Sequence, residues 1–165
     1  MIQKKICMLG ALAVGKTSLV RRYVENLFFE KYQTTLGVKI DKKLVKVDDQ
    51  DITLVLWDLA GQDSYNNIRQ SYLRGASGYL LVVDKTRTTS LDFALKVYEI
   101  EKQKLGDIPC LLLFNKWDLT GKWDITEDTV DELGRQGWDV IKTSAKTGMQ
   151  VNDAFEKLAI KMIAQ

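Results

Sequence analysis

Histidine is absent from the 165-residue chain, and that one absence removes every Ser-His-Asp, Cys-His and histidine-ligated zinc mechanism. Chemistry here must run on carboxylates, hydroxyls, amides, lysine or a borrowed metal. Cysteine is scarce. Cys7 and Cys110 each sit inside a strand-like apolar run, so they read as buried reduced thiols rather than a disulfide or a redox pair. No apolar run approaches the ~18–20 residues of a membrane span, and no signal peptide opens the chain. Charge of either sign is not in excess: 24 basic residues face 22 acidic ones, a net of +2. That balance leaves no footprint for nucleic acid and no electrostatic membrane anchor. Proline occurs once, at Pro109. Linkers, internal repeats and low-complexity tracts are missing too, so residues 1–165 are expected to form a single domain with a full core.

What is present is an alternation of strand-like and helix-like segments. Apolar runs predict buried strands at 6–9, 79–83 and 110–114, with a short one at 139–141. Residues 38–47 and 52–57 read as two further strands joined by the turn-rich Asp48-Asp49-Gln50-Asp51, the one expected hairpin. Helices are predicted over 17–26, 90–105 and 125–136, the last with Thr126 as its N-cap. The clearest helix is the final one. There Val151, Ala154, Phe155, Leu158, Ala159, Met162 and Ile163 make a wide apolar stripe. Near-continuous apolar strands alternating with amphipathic helices predict an α/β fold: a six-stranded, mostly parallel sheet with helices on both faces and one antiparallel hairpin.

In such sheets, ligands bind beyond the carboxyl ends of the strands. The stretch Gly10-Ala11-Leu12-Ala13-Val14-Gly15-Lys16-Thr17 lies there, between the first strand and the first helix. It fits the phosphate-binding loop in full, context included. Glycines let the backbone curl until successive N–H groups face phosphate oxygens, and the following helix adds its positive end. Lys16 would neutralise the β and γ phosphates, and the Thr17 hydroxyl would bind Mg²⁺. By itself the loop says only nucleoside triphosphate and magnesium, because ATPases, kinases and GTPases share it.

Two later stretches address the base. Asn115-Lys116-Trp117-Asp118 follows the fifth apolar strand. The Asp118 carboxylate can accept from guanine N1–H and the 2-amino group together, whereas adenine offers a bare acceptor and no amino group there. A polar mismatch of that kind discriminates far better than shape does. The aliphatic stem of Lys116 can lie over the ring, and Asn115 can tie neighbouring loops together. Thr143-Ser144-Ala145-Lys146 follows the sixth strand, and the Ala145 N–H could donate to guanine O6. A kinase or ATPase using adenine remains a competing reading, but Asp118 speaks against it and no lid region is evident.

These motifs, in this order, resemble the small GTPases of the Ras superfamily over nearly the whole chain, from Lys5 to Ile163. Trp57-Asp58-Leu59-Ala60-Gly61-Gln62 is similar to the family's Trp-Asp-Thr-Ala-Gly-Gln segment. Tyr32-Gln33-Thr34-Thr35-Leu36-Gly37-Val38 resembles its first switch. The Trp57-Asp58 pair and Tyr72-Leu73-Arg74-Gly75-Ala76 are most similar to the Rab branch. The resemblance implies the P-loop GTPase fold, the G domain. It also implies a switch that binds GTP or GDP with Mg²⁺, slowly hydrolyses GTP, and signals through two loops at about 27–38 and 58–74, as in vesicle trafficking. An adaptor that holds guanine nucleotide without turnover is the alternative.

Carried over residue by residue, the resemblance implies a nucleotide-binding set of Gly10, Ala11, Leu12, Ala13, Val14, Gly15, Lys16, Thr17, Ser18, Phe28, Tyr32, Thr35, Gly61, Asn115, Lys116, Asp118, Leu119, Ser144, Ala145 and Lys146. It implies Thr17 and Thr35 as magnesium ligands, with Asp58 holding a coordinated water. Lys16, Thr35, Gly61 and Gln62 would carry the reaction, Gln62 by orienting the attacking water. Thr35 and Gly61 would touch the third phosphate from separate loops, so losing it relaxes both. Trp57, Ile40 and Tyr72 form either a packed cluster or a partner-facing one; Ile40 departs from the aromatic-rich Rab trio, which leaves the effector class open.

Leu12 is the main departure from the family, where glycine, serine or alanine is usual. A side chain there crowds the γ-phosphate, the attacking water and any arginine entering from an activating protein. Normal GTP binding with slow hydrolysis is therefore expected, unless the leucine swings outward without effect. Expected partners are an exchange factor, an activating protein and protein effectors, met by a cytoplasmic monomer. The last residues stay helical to Met162-Ile163-Ala164-Gln165 with no terminal cysteine. No membrane anchor is expected in this chain, and a peripheral membrane location would require a lipidated tail outside it.

Overall fold

Side chains alternate across the inner strands, and each face of the sheet has its own helices. The computed structural model describes residues 2–31, 35, 37–61, 68, 70–121 and 123–164. In chain order the elements are β1 (Ile2–Gly10), α1 (Lys16–Glu25), β2 (Val38–Val47), β3 (Gln50–Leu59), α2 (Gln70–Leu73), β4 (Gly78–Asp84), α3 (Thr88–Leu105), β5 (Cys110–Asn115), α4 (Glu127–Arg135), β6 (Val140–Lys142) and α5 (Val151–Ile163). They build a six-stranded sheet in the order β2-β3-β1-β4-β5-β6. Every neighbouring pair is parallel except β2 and β3.

Ile6 and Met8 of β1, Leu80 and Val82 of β4, and Leu111 and Leu113 of β5 face a core closed by Leu19 and Tyr23 of α1 and Phe155, Leu158 and Met162 of α5. The intervening Cys7, Leu9, Tyr79, Leu81, Leu112 and Phe114 face the other way, against Leu91, Ala94 and Val97 of α3 and Val130 and Leu133 of α4. Burial on both faces explains why these strands read as continuous apolar runs rather than alternating ones. Cys7 and Cys110 are free thiols, each pushed up to about 12 by burial. Among the described residues, no helix is long and apolar enough to cross a membrane.

Several boundaries depart from the sequence-based expectation: β1 begins at Ile2 rather than Ile6, α3 at Thr88 rather than Ser90, and α1, β4, β5 and β6 differ by one residue at one or both ends. The hairpin turn is tighter, and β3 starts at Gln50 rather than Ile52. Asp48 and Asp49 both adopt positive φ, 49° and 64°, which makes a two-residue turn matched to the twist of the strands. The helix α4 is shorter than 125–136 because Thr126 caps it, its Oγ1 accepting from the Thr129 N–H at 3.3 Å. The single turn α2 was not anticipated; four residues carry too little periodicity to show.

The carboxyl ends of β1, β3, β4, β5 and β6 open along one edge. From β1 the chain leaves toward β3 on one side and later returns to β4 on the other. The end of β1 is thus a topological switch point, where such sheets leave a crevice.

Phe155 is fully buried and stacks on Tyr23, with ring centroids 4.2 Å apart and planes 3° from parallel. Phe155→Ala is expected to cost about 3–5 kcal/mol in urea unfolding; a loss below about 1 kcal/mol would mean that the α1–α5 contact does not hold this face of the core.

Candidate functional site

Residues 10–15 curl between β1 and α1, and Ala13, Val14 and Gly15 form one wall of a cavity of about 260 Å³. The curl demands small residues. A Cβ on Gly10 would lie 2.6 Å from the Val82 carbonyl oxygen, and one on Gly15 would collide with the Asn115 amide. Gly15 has φ 102°, and Ala13 accepts the left-handed region at φ 62°, a local strain of the kind found at binding sites. The loop's carbonyls are held from outside. Asn115 Nδ2 donates to Val14 O at 3.0 Å, and Lys116 Nζ donates to Ala13 O at 2.9 Å. A trans peptide points its C=O and the next N–H in opposite directions. Gly15 and Val14 N–H therefore face the cavity that these residues line.

Lys16 opens α1 and is 5% exposed. Its Nζ donates to Gly10 O at 3.0 Å and Ala11 O at 3.1 Å. Burial lowers its pKa to about 8, opposed by Asp58 and assisted by the charge of Arg87. A buried cation with lowered basicity, ringed by inward N–H groups, is a site for an anion.

Beside it, three oxygen donors converge from three elements. Thr17 Oγ1 lies 2.5 Å from Thr35 Oγ1 and donates to Asp58 Oδ2 at 2.6 Å. Asp58 is 1% exposed, and its Oδ1 has no hydrogen-bond partner among the described residues. Burial raises its pKa, partly offset by the Thr17 hydrogen bond and by Lys16. No cluster of three His, Cys, Asp or Glu occurs among the described residues. Two hydroxyls and one carboxylate carry too little charge for an all-protein cage. They suit a hard divalent cation such as Mg²⁺, which shares its shell with phosphate oxygens and water.

At the far end, Asn115 links the strands that carry the site. Its Oδ1 accepts from Thr143 Oγ1 at 3.3 Å and from the Ala145 N–H at 3.2 Å. That N–H is thus already engaged, and a ligand oxygen would have to share it. Ser144 Oγ donates to Asp118 Oδ1 at 2.7 Å and accepts from the Thr147 N–H at 3.1 Å. The exposed Asp118 carboxylate is anchored through one oxygen. Lys146 pairs with Glu30 at 3.2 Å across the strand-end loops.

Of the expected site residues, Ala13, Val14, Gly15, Lys16, Thr17, Ser18, Phe28, Thr35, Gly61, Asn115, Lys116, Asp118, Leu119, Ala145 and Lys146 line this one cavity. Gly10, Ala11, Asp58 and Ser144 stand behind it as partners of lining residues. Leu12 is 43% exposed beside Gly61. Tyr32 and Gln62 lie outside the described residues.

Sequence reasoning missed Arg21, Phe29, Glu30, Lys31 and Leu59 in the wall. It also missed Arg22, which donates to Ala145 O at 2.8 Å and to Lys146 O at 2.5 Å. Asp84 and Arg87 were missed as well. Asp84 accepts from Lys116 Nζ at 3.0 Å, and Arg87 Nη2 donates to Leu12 O at 2.6 Å. The position of Asp84 at the carboxyl end of β4 was the available signal; Arg22 has none, since its partners are 123 and 124 residues away.

A Ras family model matches residues 5–164. Among similar proteins, the human Ras-related protein Rab-7L1 is 35% identical, over 96% of this chain and 82% of its own. The Theileria parva Ras-related protein Rab-1 is 35% identical over 94% and 72%, and the tobacco (Nicotiana tabacum) Ras-related protein Rab5 is 34% identical over 98% and 82%.

Asn115→Ala removes a donor to the loop and the acceptor of the Ala145 N–H together. Amide exchange at Ala145 is expected to accelerate at least about tenfold, the effect of a lost buried hydrogen bond; unchanged exchange would mean that Asn115 does not couple the two loops.

Proposed function

The chain belongs to the Ras family of small GTPases, Rab branch, and from that premise we propose how its own residues bind the nucleotide and set the rate of the reaction. It is a GTP-binding molecular switch with GTPase activity. The observation that carries the residue assignments is that Lys16 and the inward N–H groups stand at one end of the same cavity that has the Asp118 carboxylate at the other.

At the phosphate end, the N–H groups of residues 13–15 and the ammonium of Lys16 take the β and γ phosphates, so the buried cation gains its counter-charge on binding. Ser18 follows on the same helix turn. At the base end, the Ser144 hydrogen bond holds Asp118 so that its other oxygen faces guanine N1–H and the 2-amino group. Phe28 and the stem of Lys116 flank the ring, with Leu119, Ala145 and Lys146 closing the wall. Magnesium, when bound, supplies neutralisation of phosphate charge; Thr17 and Thr35 would hold it directly and Asp58 through a water, a role that gives the unpartnered Asp58 oxygen its use.

Thr35 and Gly61 come from separate loops, and on this reading each touches the third phosphate. Its loss releases both loops, the order–disorder transition by which such switches signal. Gln62, as the residue after Gly61, is the group for orienting the attacking water. Effectors, an exchange factor and an activating protein then read the two loops at about 27–38 and 58–74. Trp57 supports a docking surface there: it lies 6.2 Å from Tyr72 between ring centroids and pairs across the hairpin with the 46%-exposed Ile40. Similarity to the Rab proteins supports a role in vesicle trafficking, and we take the protein to act as a cytoplasmic monomer.

Leu12 sets the pace. A Cβ built on Gly61 would lie 2.7 Å from Leu12 Cα and 3.1 Å from Leu12 Cδ1. The side chain therefore leans over the residue that meets the third phosphate, in the space an activating arginine needs. Such an arginine is worth roughly 10³–10⁵ in rate. In single-turnover hydrolysis, Leu12→Gly should outpace the parent, and by at least about tenfold when an arginine-donating activating protein is present. Equal rates with and without the activator would remove Leu12 from the account, and no phosphate release from either protein would favour a nucleotide-holding adaptor.

A further inference from the structure

Three successive carbonyls of the phosphate loop are held from outside, and the third holder belongs to no motif in the sequence. Val14 O and Ala13 O are held by Asn115 and Lys116; Leu12 O is held by Arg87, whose Nη2 donates at 2.6 Å. By peptide planarity, fixing Leu12 O outward aims the Ala13 N–H inward. The residue whose carbonyl Arg87 holds is also the one that borders Gly61, through Leu12 Cα and Cδ1.

Arg87 occupies a place where an arginine is locally unfavourable. It is the N-cap residue of α3 and makes no side-chain cap. Serine, threonine, aspartate or asparagine is preferred there, and a positive charge opposes the helix dipole. Ser90 supplies the local bonding instead: its Oγ donates to Arg87 O at 2.7 Å and accepts from the Asp84 N–H at 2.9 Å. That frees the guanidinium to turn toward the loop. A residue that breaks a local rule at a binding crevice points to a task there.

Its brace is Asp84, whose side chain is 4% exposed. Arg87 Nε lies 3.2 Å and Lys116 Nζ 3.0 Å from the same Oδ2. The other oxygen accepts from the Thr86 N–H at 2.9 Å and the Thr86 hydroxyl at 2.7 Å. One carboxylate therefore pairs with two cations. It accepts a hydrogen bond from Lys116 and meets Arg87 by charge alone, since Arg87 Nε makes no hydrogen bond among the described residues. Each cation holds one carbonyl of the loop. The planar fork of arginine suits this double duty; a lysine could serve only one partner at a time.

We propose that Arg87 is a positioning residue for nucleotide binding, braced with Lys116 on Asp84 and acting through the Leu12–Ala13 peptide to aim a donor at the phosphates. The proposal rests on the guanine-nucleotide reading of the cavity. It is tested on the full chain by the release rate of a fluorescent GDP analogue and by ³¹P NMR of bound GDP, in the parent, Arg87→Ala and Arg87→Lys. For Arg87→Ala, release should be roughly three- to tenfold faster, the scale of one partly exposed charge-assisted bond, and the β-phosphate resonance should move. Arg87→Lys should fall between the two. If Arg87→Ala does not fold, Arg87→Gln, which keeps one donor without the charge, should show the same direction. Release within twofold of the parent, or faster release from both variants with a parental ³¹P spectrum, overturns the proposal. A parent that binds no guanine nucleotide overturns the reading beneath it.

Discussion

A planar peptide cannot turn its carbonyl and its N–H the same way, and the binding loop of this protein is built on that constraint. To present N–H groups to an anion, the loop must send its carbonyls outward, where they need partners. Asn115 and Lys116, from the end of β5, meet Val14 O and Ala13 O. Asn115 also accepts from Thr143 and Ala145, so one side chain sets the distance between the phosphate wall and the base wall. Glycine at position 15 is the consequence: the Asn115 amide occupies the space a Cβ would need.

The elements buried on two faces were the most legible part of the chain. The strands β4 and β5 were read to within one residue of their bounds because their apolar runs are unbroken, and β2 with its bounds as found because it alternates. The helix α5 was read from its apolar stripe but ends at Ile163, where the expected helix ran on through Ala164. Most residues of the strand-end motifs, among them Gly15, Lys16, Asn115, Asp118 and Ala145, line one cavity, since the parallel topology brings the carboxyl ends of their strands together. Less legible were interactions between residues far apart in sequence. Arg22 reaching Ala145 and Lys146, or Arg87 reaching Leu12 across 75 positions, leaves no local pattern. The turn at Asp48-Asp49 was placed too broadly because polar composition marks a turn but does not count its residues.

Several departures from local rules fall in one region. Ala13 and Lys116 adopt positive φ without being glycine, an arginine stands at the N-cap of α3, and an oxygen of the buried Asp58 lacks a hydrogen-bond partner among the described residues. All of these border the cavity at the end of β1 or the residues that brace it. Leu12 belongs to the same region, its Cα and Cδ1 lying against Gly61. Others lie away from it: Asn26, Asp48, Asp49 and Gln150 also adopt positive φ, and one carboxylate oxygen of the buried Glu101 lacks a hydrogen-bond partner among the described residues.

The central claim is that a single cavity recognises a phosphate chain at one end and guanine at the other, through an anchored carboxylate. Titration calorimetry of the chain with GDP and with ADP, each in the presence of magnesium, measures it most directly. Because a site built for polar donors rejects an analogue lacking them by about 10⁴ or more, GDP should bind at least about a thousandfold more tightly. Comparable affinity for the two diphosphates, or heat from neither, would contradict the account.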